Sequence, residues 1–132
     1  MAQVREQQRA LRHSAVIRRA AWLVFLHFIA ATWGIHLVAN YGERQWEFMF
    51  SYAAGFAIVL ACAADAQIVG RPLLRIIQLV MFFTWPIAAP AYLVSRRRWW
   101  GLLWVFIFAL TLGFCYVGAA IVADMVRTAA GG

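Results

Sequence analysis

Residues 20–39 read AAWLVFLHFIAATWGIHLVA, twenty consecutive positions without an Asp, Glu, Lys or Arg. As a helix such a run crosses the roughly 30 Å hydrocarbon core of a bilayer, which takes about 20 apolar residues. Three further uncharged runs follow, at 48–64, 76–94 and 102–122. Backbone polar groups in hydrocarbon must be satisfied internally, which leaves only helices and closed barrels. Barrel strands are about 10 residues long and alternate apolar with polar positions, whereas these runs are longer and apolar on every side. The expected fold is an all-α integral membrane protein, a compact bundle of four transmembrane helices with short loops at 40–47, 65–75 and 95–101.

Composition excludes the main alternatives. Of 132 residues, 65% are apolar and 13% charged, against roughly 45–50% and 25% in a soluble domain. A disordered chain needs low hydrophobicity, and a soluble globule this small cannot hide so much apolar surface. The chain divides into a basic tail at 1–19, a polytopic region at 20–126 and a short tail at 127–132. The first apolar run exceeds the 7–15 residue core of a signal peptide, so an uncleaved anchor is expected.

Charge then bears on orientation. All twelve basic residues are arginine, and the net charge is +7. Five arginines, ending in Arg18 and Arg19, stand before the first run against a single Glu6. Cytoplasmic flanks are rich in basic residues, which places this tail in the cytoplasm; the arginine-only usage fits the inner membrane of a GC-rich bacterium. A thin apolar stripe beside Arg5, Arg9 and Arg12 makes an interfacial helix on anionic lipid headgroups one expectation for the tail, and a solvated tail the other.

The triplet Arg96, Arg97 and Arg98 opposes a simple alternation. Four spans put eight arginines inside and four outside, whereas a re-entrant third segment gives ten and two. Pro86 and Pro90 interrupt that segment. A turn covering Trp85–Pro90 would leave only Ala91–Val94, about 6 Å of helix, for the return. The expectation is four spans with both ends cytoplasmic and a third helix kinked by its prolines, with the re-entrant form as the alternative. Trp99 and Trp100 beside the triplet, with Tyr92 and Trp104 one turn away on either side, read as headgroup-level anchors, as do Trp22 and Trp46.

Helices associate in lipid largely through small residues. Ala53, Ala57 and Ala61 recur every four positions ahead of Asp65, and Ala109 with Gly113 forms a second small-residue pair. Phe82, Phe83, Phe106 and Phe108 are expected to face lipid or a partner.

Ionisable groups inside a membrane are costly and point to function. His27 lies deepest. His36, nine residues on, faces the opposite side of the same helix, so the two cannot share a metal, and no metal site is expected. A haem or chlorophyll on one histidine ligand, His27 or His36, stays open. Asp65, near the basic surface, is expected to pair with Arg71 or Arg75, and Asp124 with Arg127. Cys62 and Cys115 have no CxxC spacing and read as small apolar groups. No catalytic triad, phosphate loop or carboxylate pair is present, so no enzyme is expected, and a short tail joined to a span gives no nucleic-acid partner.

The leading functional reading is an accessory or assembly subunit of a larger membrane complex, bound to other membrane subunits or to copies of itself. The alternatives are a small oligomeric transporter or channel using His27 and the proline-broken third helix, and a haem or chlorophyll carrier with a single histidine ligand.

Overall fold

In a computed structural model, which describes residues 2–39 and 44–131, the chain is helical throughout apart from short turns. Five helices follow one another: α1 (Ala2–Ala39), α2 (Arg44–Ile68), α3 (Arg75–Phe83), α4 (Trp85–Arg97) and α5 (Trp99–Ala129). Three stretches are long and apolar enough to cross a membrane, Arg5–Ala39, Gln45–Ile68 and Trp99–Ala129. The third apolar segment is not one helix. It is split between α3, of 9 residues, and α4, of 13, about 13 and 20 Å long at 1.5 Å per residue. The expected four-helix bundle therefore gives way to three span-length helices and a shorter pair.

Cross-helix contacts fix the directions. Arg18 and Arg19 on α1 reach Gln67 and Asp65 near the end of α2, while Trp33 stacks on Phe50 near its start; these helices are antiparallel. His27 meets Thr111 and Arg127 meets Val38, so α5 runs parallel to α1. On α3, Phe82 stacks on Tyr52 of α2. On α4, Trp85 lies against Gly55, and Arg97 reaches Asp65. The α3–α4 pair thus goes in from the Arg19 end, turns at the level of Tyr52 and Gly55, and returns to the same end. Gly55 is ten residues, about 15 Å, from Asp65 along α2.

The turn is sharper than the two prolines suggested. It occurs at Thr84, whose N–H and hydroxyl both donate to the Val80 carbonyl, while the Thr84 carbonyl accepts from Ile87 and Ala88. Pro86 then falls in the first turn of α4, where no intrahelical N–H is needed. Only Pro90 is interior, so α4 continues to Arg97 and supplies the return that a turn spread over Trp85–Pro90 would have lacked.

The other joints are equally local. α2 ends in a Schellman turn: Gly70 takes φ +76°, its N–H bonds to Gln67 and that of Arg71 to Ala66, with Pro72 just beyond. Arg98 alone joins α4 to α5, at φ 50°, a strained value for a side-chain-bearing residue. There Gly101 packs so closely on the Leu93 carbonyl that a Cβ would collide with it.

α1 packs on α2 and α5, and α4 packs on α2 and α5, while α1 and α4 do not pack together. α3 lies against α2 and α4. One core cluster gathers Val59, Cys62, Ala66, Met81, Ala89 and Tyr92; a second joins Leu26 and Ile29 to Ala54 and Ala57. The basic tail is the same helix as the first span, with Arg5, Arg9 and Arg12 exposed.

Candidate functional site

The helices α1, α2, α4 and α5 line a half-open cavity of about 370 Å³. Its walls are apolar: Leu23 and Leu26 from α1, Ile58 and Ala61 from α2, Ala89 and Leu93 from α4, Phe108 and Leu112 from α5. Pro86 and Pro90 both line it. Its charged lining residues are Arg19, Asp65 and Arg97. All three sit towards the end where α2 and α4 finish.

These three form one ionic cluster. Asp65 Oδ1 accepts from Arg19 at 2.7 Å and from Arg97 at 2.6 Å. The carboxylate side chain is 5% exposed, and the arginines are 34% and 31% exposed. Asp65 Oδ2 is buried without a hydrogen-bond partner. A buried carboxylate is tolerable only when paired and hydrogen-bonded. The partners come from α1 and α4, 46 and 32 residues away in sequence. The expected pairing with Arg71 or Arg75 does not form, because the turn at Gly70 carries both into exposed positions. Arg96 lies over the Tyr92 ring, 5.7 Å from its centroid. Tyr92 is buried, not at the surface with the tryptophans; Trp99 and Trp100 are exposed.

The histidines lie elsewhere. His27 Nδ1 is 2.7 Å from the Leu23 carbonyl and Nε2 is 3.1 Å from the Thr111 hydroxyl. A carbonyl only accepts, so Nδ1 donates to it. Nδ1 is engaged within α1 and Nε2 reaches across to α5, and His27 does not line the cavity. The His36 ring packs against Trp46 and Phe50. Among the described residues no three His, Cys, Asp or Glu side chains converge.

The small residues divide. Ala57 and Ala61 are buried and Ala53 packs against the same core. Ala109 lines the cavity, and Gly113 meets nothing within 4 Å. Gly34 and Gly55, by contrast, allow close approach. A Cβ on Gly34 would collide with the Tyr116 carbonyl, and one on Gly55 would stand 2.6 Å from Trp85 Cδ1. Arg127 donates to the Val38 carbonyl and forms no salt bridge with Asp124. Sequence reading missed the cavity and the Arg19–Asp65–Arg97 cluster; its one sequence signal was Asp65, a lone acid between apolar residues and arginines. Comparison with known protein families, with curated proteins and with solved structures finds no match to this chain.

Proposed function

We propose that this chain is a multi-pass membrane protein that holds a small amphiphilic molecule between its helices. The cavity carries the reading. Its volume falls within the roughly 300–1,000 Å³ of ligand pockets, and such pockets pair apolar walls with a few convergent polar groups. Its wall includes α4, the returning half of the segment that turns back at Thr84, and helices interrupted within the membrane recur where membrane proteins bind substrates. The ionic end is assigned to the cytoplasmic side of a bacterial inner membrane, where ten arginines would then stand against Arg44 and Arg127 on the other side.

A second reading, an accessory or assembly subunit, is favoured by the outer face of α5. There Gly113 has open space beside it. That position would admit a neighbouring helix at close range.

One experiment addresses both. The protein is purified in mild detergent and its bound small molecules and co-migrating proteins are identified by native mass spectrometry. The binding reading expects an amphiphile adduct that is lost in Ala109→Phe, which fills the cavity, while that variant stays monodisperse. Wild type that carries no adduct and takes up none when offered amphiphiles overturns it. A stoichiometric membrane partner lost on Gly113→Leu supports the subunit reading; a partner-free protein rejects it.

A further inference from the structure

We propose that the cavity selects a single-chain amphiphile with a phosphomonoester headgroup, seated on Arg19 and Arg97. This rests on the binding reading above and adds the chemical class of the ligand. Three observations support it.

The first is charge. One carboxylate faces two guanidiniums, and a single oxygen of it, Oδ1, accepts from both. Each guanidinium has five N–H donors, so most remain for another acceptor, and both side chains are about one-third exposed. The cluster carries one uncompensated positive charge. Arg18, Arg96 and Arg98 adjoin it in sequence, and Asp65 is the only acid within the residues from 48 to 123. An anion is therefore drawn to this end of the cavity, and arginine matches the oxygens of phosphate in bidentate fashion.

The second is polarity along the cavity. The charges lie at one end, and the walls beyond are Leu26, Ile58, Leu112 and their neighbours. A free anion would leave that apolar volume unfilled, and a neutral hydrocarbon would leave the one excess positive charge unmatched. A head joined to one chain satisfies both.

The third is Asp65 Oδ2, a buried acceptor with no donor. An ionised carboxylate, or the phosphate group of a phosphodiester, has no O–H of its own at neutral pH. A phosphomonoester, with a second pKa near 6, can retain a proton and donate it to this oxygen as the side chains adjust around the headgroup.

The test uses the whole protein in phosphatidylcholine nanodiscs, titrated with dodecyl phosphate. Readouts are thermal stability and the emission of the cavity-lining Trp85 and Trp104. Saturable stabilisation and a spectral change are expected. Inorganic phosphate at equal concentration should give neither. Arg19→Gln and Arg97→Gln should each weaken binding by about tenfold, the scale of one charge-assisted hydrogen bond, and Arg19→Lys should weaken it less. Arg71→Gln, exposed at the same end and outside the cavity, should bind as wild type. A variant that does not fold is replaced by competition on wild type, in which dodecyl phosphate should displace a bound fluorescent alkyl phosphate and dodecanol should not. If dodecanol binds as well as dodecyl phosphate, the headgroup class is overturned while the cavity reading stands. If Arg71→Gln weakens binding as much as Arg97→Gln, surface charge explains the effect and the site is overturned. If no amphiphile binds, both readings fail together.

Discussion

Asp65 concentrates the energetic risk of this fold in one side chain. It is buried, ionisable and held by arginines from two other helices. Removing one partner of such a cluster leaves uncompensated charge, which costs about 3–5 kcal/mol in a fully buried pair. The arginines here are partly exposed, so solvent screens part of that, and about 2 kcal/mol is the expected scale for Asp65→Asn. Arg71→Gln and Arg75→Gln, at exposed positions, should stay within about 0.5 kcal/mol of wild type. Thermal denaturation in detergent measures all three. A loss at Arg71 or Arg75 equal to that at Asp65 would restore the local pairing that the sequence favours. The sequence does mark Asp65, because an acid between apolar residues stands out. It cannot identify the partners, because Arg19 and Arg97 become neighbours only once α1 and α4 are both laid against α2.

At the scale of the helices, backbone proximity decides which small residues matter. The alanine series at 53, 57 and 61 is legible from spacing alone, since residues four apart share a helix face. Ala109 and Gly113 have the same spacing, yet one lines the cavity and the other meets open space. Spacing identifies a narrow face but not what lies opposite it. Gly34 is the converse case, a single glycine in a run of larger residues that permits α1 to approach α5 at Tyr116. Gly34→Ala should therefore destabilise the protein by about 1–3 kcal/mol through overpacking. Gly113→Ala should be neutral or stabilising by up to about 1 kcal/mol, from helix propensity. Unfolding of the two variants in the same detergent compares them directly, and equal effects would contradict the α1–α5 contact. The broken third segment follows the same logic. Both prolines are visible in sequence, but only the hydrogen bonds at Thr84 show that the turn comes before Pro86, leaving α4 long enough to return.

For the whole molecule, that return changes the relation between its two ends. With α3 and α4 entering and leaving at one end, α5 starts beside Arg19 and Asp65 and runs parallel to α1. The accessible surface, 9757 Å², exceeds the roughly 7,000 Å² typical of a folded soluble chain of this size. Phe28, Phe83, Phe106 and Phe114 are among its exposed apolar residues, as expected of helices whose outer faces meet lipid. The arrangement also removes the conflict posed by the arginine triplet, because Arg96–Arg98 fall at the same end as Arg18 and Arg19. Four alternating spans would instead put the triplet opposite the N-terminal tail and bring the end of α5 back to the side of that tail. The two topologies therefore differ at two independent positions. Single cysteines at Gln8, Arg98 and Thr128, introduced after replacing Cys62 and Cys115, separate them by labelling with a membrane-impermeant thiol reagent in intact cells and in inverted vesicles. Gln8 and Arg98 should label from one side and Thr128 from the other. Labelling of Gln8 and Thr128 from the same side, with Arg98 opposite, would reject the returning α3–α4 pair. It would also reject the cavity, since α4 could not then bring Arg97 to Asp65.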